Sequence, residues 1–520
     1  KEMKRACSYP NSAANLCFYL TPHVFVTNVF HELTECLPPA AALKKWYVTS
    51  HPQLLSYTRV WKCFVARCGL TIKSIEKVVT LNHLMQVISK IASFNSTTIS
   101  QFNIPSTEFF FASILNISGK DIFLQVSRNW LGICRPLLLT LEYAFNRRRS
   151  CMEITLVNDD HELESNIPVN ISITVQELDG AFEHSNLISR DAHRSTFEVS
   201  THSGKSRRSN LKRRVTTENG RELDIELIQT SSITTDVMVG ADNPALWIRV
   251  NLELCTFYGN VRIIQSDSAW YYQSMLESTP LGHLKAVKTI KSFPSGESIV
   301  LLGKLIKNKS CWYQIRSEAF RSLVFIYNQL SNDDMIKIDK EHNPIDLYRS
   351  IFCLSNYPEL PKINDFSDVS LYFFQLTAIK AISGLKMVLL KEVLKPRVFL
   401  GYELLRTLYE YNDNASNCYE DCCYRACLIG AIGDSLPQLK NDLLNDASVF
   451  VLTESLNSMK IDELCPYFHG CVSFAAISNL LKLQKLKFIE YISTPFRHCC
   501  LPGIEERLRI SSVSCLAEYI

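Results

Sequence analysis

The sequence predicts a multi-domain α+β protein: a helical layer, then a small antiparallel β-sandwich, then a HEAT/armadillo-like α-solenoid. Three observations predict it. The chain has 520 residues, too many for one hydrophobic core, so two to four domains are expected. The apolar period changes from helical to two after Phe145 and back to helical near residue 256. Within the last stretch, helix-like segments open repeatedly on an apolar residue, an arginine and a further apolar residue, as stacked helix pairs do. The expected domains are 1–145 (helical), 146–255 (sandwich) and 256–520 (repeats).

In the first segment, Ile72, Ile75, Val79, Met85 and Ile88 recur at helical spacing, as do Trp61, Phe64, Val65 and Cys68. Asn95–Ser100 is rich in Ser, Thr and Asn and reads as a loop. In the second, Val169, Ile171, Ile173 and Val175 alternate with polar residues and share one face of a strand. Leu223, Ile225 and Leu227 alternate with acids. Leu246, Ile248 and Val250 alternate with Trp247 and Arg249. Met152–Val157 and Phe197–Val199 are further strands, and Leu178–Gly180 is a turn. Several short strands in so short a stretch predict a sandwich. In the third, Leu281, Leu284, Val287 and Ile290 make one helix face, and Ile299, Leu302, Leu305 and Ile306 the next. The recurring starts are Ile315-Arg316 with Ala319, Leu323 and Val324; Tyr424-Arg425 with Ala426, Ile429 and Ile432; and Leu508-Arg509 with Ile510, Val513 and Leu516. Their arginines stand 109 and 84 residues apart. Only the second spacing is near two repeats of about 42, so insertions are expected near Asn332–Pro344 and Pro358–Phe366. The chain opens on Lys1 and ends in a helical pattern at Ile520, and a fragment of a longer array is expected.

The apolar fraction is 47% and the charged fraction 21%, enough to build cores. A net charge of +3 gives no global field toward nucleic acid or membrane, so any electrostatic partner needs a local patch. No apolar core follows Lys1, Lys4 and Arg5 as a secretory signal would require. The strongest membrane candidate, Leu371–Leu390, carries Gln375, Lys380 and Lys386, and reads as a buried amphipathic helix. The 19 cysteines follow no disulfide spacing and read as reduced core thiols of a cytosolic or nuclear protein. The sequons at Asn95, Asn116, Asn170 and Asn308 are then chance matches.

The search for chemistry finds little. A zinc peptidase helix needs two histidines four residues apart, and no two of the 12 histidines are so spaced. The nearest, His31-Glu32 with Glu35 in fifth place, supplies one imidazole. Cys418, Cys422, Cys423 and Cys427 could chelate as i,i+4 pairs, but the two pairs diverge on a helix. Cys465, His469 and Cys471, and His498, Cys499 and Cys500, are further donor groups that nothing in the sequence brings together. No Gly-rich phosphate loop or GxSxG elbow is present, and Glu505-Glu506 and Asp159-Asp160 read as solvated charges. No catalytic residue, metal ligand or cofactor is expected. The one concentrated charge is the loop 202–214, where Lys205, Arg207, Arg208, Lys212, Arg213 and Arg214 put six bases in ten residues. It reads as a phosphate-contacting arm, a nuclear-import signal or a solvated loop. Arg147, Arg148 and Arg149 are a candidate accessory patch. No aromatics interleave with these bases, so backbone contact is favoured over base stacking.

Ser118-Gly119-Lys120-Asp121-Ile122, then Trp130, Gly132 and Pro136, resembles the junction at which the helical end of an M1 metallopeptidase domain passes into a β-sandwich. Ala144–Arg149, Val175–His184, the basic loop, Asn219–Asp224, Pro244–Val250, Tyr411–Asn414 and Tyr424–Ala426 narrow this. Together they resemble the TBP-associated factor 2 family, the aminopeptidase-like subunits of the general transcription factor TFIID. The resemblance is strong over 116–255, patchy over 256–520 and weak before 110. It implies that residues 1–145 are the helical end of an M1 metallopeptidase-like domain, in a pseudo-enzyme held in the nucleus. It implies other TFIID subunits (TBP and the histone-fold TBP-associated factors) and promoter DNA as partners, with no membrane. Two other readings stay open: an active M1 zinc aminopeptidase whose catalytic half lies upstream, and a generic HEAT-repeat adaptor.

Overall fold

The computed structural model describes residues 75–76, 79–97, 107–122, 137–158, 169–177, 179–188, 194–202, 214–216, 222–224, 244–251, 259–329, 342–385, 397–439, 441–465 and 470–517. Lys205, Arg207, Arg208, Lys212 and Arg213 lie outside these residues, as do the His31 segment, Trp61–Cys68, Trp130, Gly132 and Pro136. The chain divides into two compact units, within 17–281 and within 282–520.

The first unit opens on helices α1 (Leu81–Thr97) and α2 (Thr107–Ser118). Ile75, Val79, Leu84 and Val87 are buried, whereas Met85 and Ile88 are 55% and 46% exposed. The expected apolar face is thus rotated by one residue. Thr80 is the cause: its φ of 76° breaks the helical phase between Val79 and Met85.

Nine strands follow among the described residues: β1 (Leu137–Asn146), β2 (Cys151–Asn158), β3 (Val169–Glu177), β4 (Gly180–Ile188), β5 (Arg194–Ser200), β6 (Arg214–Thr216), β7 (Glu222–Asp224), β8 (Ala245–Asn251) and β9 (Gly259–Ile263). They form one sheet of order β5-β2-β1-β9, a second of order β4-β3-β8, and a separate β6-β7 ribbon. Two expectations are corrected. The sheets reach beyond 146–255 at both ends, because the run Leu137–Leu139 hides the period of two in β1, and β9 is a strand where a helical period had been read. The sheets are also not purely antiparallel, since β9 pairs with β1 in parallel, Leu139 opposite Val261.

Strand β3 is buried on both faces from Ile173 to Glu177, with Thr174, Gln176 and Glu177 included. Ile173 and Val175 are buried opposite Val250 and Ile248 of β8. On the other sheet Leu139, Leu141, Met152, Ile154, Leu156, Val199 and Val261 form the buried set. Gly180, at φ 152°, closes the β3–β4 hairpin in a conformation that an L side chain rarely adopts. Strand β8 is buried on both faces, because Leu246 and Trp247 pack with Ala269, Tyr272 and Leu276 of helix α3 (Asp267–Leu276).

The second unit is helical. After α4 (Pro280–Ile290) come α5 (Gly296–Lys307), α6 (Tyr313–Tyr327), α7 (Pro344–Phe352), α8 (Val369–Ile382), α9 (Arg397–Glu410), α10 (Cys422–Ser435), α11 (Asn441–Leu464), α12 (Cys471–Lys485), α13 (Thr494–Cys499) and α14 (Glu506–Ala517). Each even-numbered helix from α6 packs on the odd-numbered helix before it and on the next even-numbered one. This is a stack of helix pairs, the one-dimensional arrangement of a solenoid. Arg316, Arg425 and Arg509 are each the fourth residue of their helices α6, α10 and α14. Both arginine separations therefore span two helix pairs, and the larger one contains the long turn at 353–368. The pairs are unequal in length and fit no single period. Lys380 of α8 is exposed, and none of the described helices is long and apolar enough to cross a membrane.

Candidate interaction site

Of the predicted bases, Arg147, Arg148 and Arg149 lie at one end of the first sheet, and Arg214 lies in the β6-β7 ribbon. Strand β1 turns into β2 through Arg147–Ser150, all exposed. Asn146 shapes the turn: its Oδ1 accepts the N–H groups of Arg148 (3.1 Å) and Arg149 (3.3 Å), and its Nδ2 donates to Glu153 (2.8 Å). This is a side chain standing in for a backbone turn bond. Arg149 Nη1 lies 2.5 Å from Glu198 of β5, with both side chains half or more exposed, so the pair adds little stability.

The long basic segment departs from the same end. Cys151 pairs with Ser200, and the next residue, Thr201, donates to the Ser150 carbonyl through its hydroxyl at 2.8 Å. His202 is then fixed to the second sheet. Its N–H lies 3.1 and 3.2 Å from the two carboxylate oxygens of buried Glu177, and its ring stacks on Phe182 at 3.7 Å with an interplanar angle of 11°. The β3–β8 register shifts between Gln176 and Glu177, and such a bulge redirects a side chain. At the far end of the basic segment, Arg214 opens β6, opposite Asp224 of β7. The structure thus places Arg147–Arg149 beside the root of the segment that carries the predicted bases.

Strand β8 carries a buried charge on the face that alternates with Leu246, Ile248 and Val250. Arg249 is buried, donating from Nη1 to Glu277 (2.5 Å) and Thr279 (2.8 Å) and from Nη2 to Thr174 (3.3 Å). Gln273 of α3 donates to the other Glu277 oxygen at 3.2 Å, and Gln265 joins Gln273 to the Ile248 N–H. The network ties β3 and β8 to α3. A buried charge is tolerated only when so satisfied. Alternation alone could not reveal it, since that pattern cannot tell a solvated face from one covered by a helix.

The cysteine groups are resolved differently from each expected set. Cys418 is exposed, and Cys427 is buried with its thiol toward the Leu376 carbonyl. Cys499 lies in the α11–α14 core, Cys465 is exposed and His498 meets Glu463 at 3.4 Å. His469 lies outside the described residues. Instead Cys422, Cys423 and Cys471 converge, their sulfurs within 4.8 Å of one another. The i,i+4 spacing rule missed them because one of the three comes from a different helix pair.

Residues 136–264 match the model of the TAF2 Ig-like domain, and residues 267–520 match that of TAF2-like TPR repeats. Transcription initiation factor TFIID subunit 2 of Danio rerio is 29% identical over 490 residues, covering 90% of this chain and 39% of that protein. The proteins of the same name from Gallus gallus and Drosophila melanogaster are each 28% identical, over 90% and 87% of this chain and 40% and 37% of their own lengths.

The chain belongs to the TAF2 family.

The chain spans about two fifths of the length of the family's curated members that it matches. The junction of the two family models, between 264 and 267, falls at the loop from β9 to α3. The family model describes the helical unit as TPR repeats, where the sequence reading expected HEAT or armadillo pairs; all three are stacks of helix pairs. Among solved structures, Legionella pneumophila aminopeptidase A in complex with aspartic acid aligns with 90% of this chain and 55% of its own, at 10% identity and a TM-score of 0.43. A likeness that loose carries no argument about fold or activity.

Proposed function

We propose that this chain is a non-catalytic scaffold segment of a TFIID subunit 2, acting in the nucleus in RNA polymerase II preinitiation-complex assembly and core-promoter recognition. The observation that carries this is the pair of family matches, which run in chain order over both the strand-rich and the helical parts. The stack of helix pairs supports a scaffold role, because such arrays expose long surfaces to several partners. Other TFIID subunits, among them TBP and the histone-fold TBP-associated factors, are the proposed protein partners.

Promoter DNA is the proposed nucleic-acid partner, held through phosphates by Lys205, Arg207, Arg208, Lys212, Arg213 and Arg214, with Arg147, Arg148 and Arg149 beside them. The anchored His202 root supports this reading, since a tethered arm loses less conformational freedom on binding than a free one. The turn at Arg147–Ser150 would add cations at the same end of the sheet.

The test has two arms. Immunoprecipitation of the full-length protein from nuclear extract should recover TBP and histone-fold subunits; their absence would overturn the scaffold reading. Neutralising the six bases of 205–214 should weaken DNA binding and reduce the salt slope by about one for each phosphate left without its cation. An unchanged slope would remove DNA from the role of this segment.

A further inference from the structure

We propose that Cys422, Cys423 and Cys471 form a three-thiolate site for zinc, joining the N-terminal ends of α10 and α12. The three sulfurs lie within 4.8 Å of one another, and Cys422 and Cys423 are 4.0 Å apart. Sulfurs on a tetrahedral zinc, each about 2.3 Å from the ion, stand roughly 3.8 Å apart. Small side-chain rotations therefore suffice to close the set. A disulfide needs about 2.05 Å, and none of the three is disulfide-bonded.

The helices favour a negative centre at this point. Cys422 is the first residue of α10 and Cys471 the first of α12. The two helices run in the same direction: Cys422 lies by Cys471, and further along Asn479 Nδ2 donates to the Ile429 carbonyl at 2.7 Å. The positive ends of both dipoles thus meet at the sulfurs. Neither N-cap residue, Asp421 or Gly470, caps its own helix with a side chain. Asp421 instead accepts from Asn412 (2.6 Å), and Asp462 of α11 caps α12 by accepting the Ser473 N–H at 3.2 Å. Gly470, at φ 55°, turns the chain so that Cys471 starts the helix against Cys422.

Access and surroundings fit a structural ion. Cys422 is buried against Ile429 and Val472, while Cys423 and Cys471 are half-buried. Solvent can reach the ion from that side and supply a fourth ligand. Zinc must displace the thiol protons. One Zn²⁺ and three thiols give a tris-thiolate zinc of charge −1 and three protons, with no change of oxidation state. Affinity should therefore rise steeply with pH.

The experiment uses the whole chain, purified under reducing conditions and stripped of metal. Cobalt(II) should produce a thiolate-to-cobalt charge-transfer band, and zinc should displace it at one equivalent per chain. Zinc should also raise the melting temperature. Cys423→Ser and Cys471→Ser should each lower zinc affinity by at least about 100-fold, since losing even a supporting residue costs 10–100-fold. Cys427→Ser, one turn further along α10, should bind as the wild type does. Circular dichroism checks that each variant is folded, and Cys423→Ala gives a second removal of that ligand if the serine variant fails. A folded wild-type chain with no charge-transfer band would overturn the site. So would full zinc affinity in folded Cys471→Ser, or a Cys471 disulfide found by mass spectrometry in place of bound metal.

Discussion

Arg249 shows how one side chain's worth depends on what covers it. Its guanidinium and the Glu277 carboxylate are 11% and 2% exposed. Removing either charge strands the other in a poorly solvated place, at a cost of about 3–5 kcal/mol. Arg249→Met should lower the unfolding free energy of the strand-rich unit, measured by urea denaturation, by that amount, and adding Glu277→Gln should recover part of it; additive losses in a double-mutant cycle would refute the coupling. His184 gives the opposite kind of case. Burial, followed by the neighbouring His202, holds its pKa below the ordinary value, and its Nε2 has no hydrogen-bond partner. The unfolded chain therefore binds the proton more readily. This disfavours the folded state as pH falls below about 6.5 and has no effect well above it. His184→Gln should lessen the loss of stability measured between about pH 8 and about pH 5.5.

At the scale of elements, β3 tests the sheet register. Ile173 is fully buried opposite Val250. Ile173→Asp should bury an unpaired charge and unfold the strand-rich unit, seen as loss of its cooperative melt. The contact of α10 with α12 has its own test. A Cβ at Gly433 would fall 2.1 Å from Asn479 Oδ1, and Asn479 is 1% exposed. Gly433→Ala should force the helices apart and cost about 1–3 kcal/mol by denaturation, as overpacking does. The alternations in β3 and β8 and the helix faces of α4 to α6 were legible in the sequence because period is a local property of residue order, even though both strands are buried on both faces. Strand β1 was missed because its run of leucines masks the period. Strand β9 was missed because its partner β1 lies more than 100 residues earlier, and pairing at that distance leaves no local mark.

At the scale of the whole chain, two units divide the work. The arginines near the start of α6, α10 and α14, every second helix pair, read in sequence as an irregular repeat because the pairs between them are unequal in length. Arg316 is buried, with Nε donating to the Ile306 carbonyl at 3.0 Å and the guanidinium 4.6 Å from the centre of the Phe374 ring. It holds α6 to α5 and α8 at once. Arg316→Lys keeps the charge but loses the planar stacking. It should lower the melting temperature of the helical unit while leaving the strand-rich unit's transition in place; movement of both transitions would show that the units do not melt separately.

Residue order by itself determined the succession of strand-rich and helical segments, the strand alternations, the basic segment 205–214 and the family resemblance that the domain matches bear out. These are local patterns or direct readings of residue type. Tertiary structure alone decided that Arg249 is buried, that β9 joins β1 in parallel, that His202 is fixed at the root of the basic segment, and that Cys471 meets Cys422 and Cys423. Each of these brings together residues 25 or more positions apart. Such meetings depend on how whole elements pack, which no local period records.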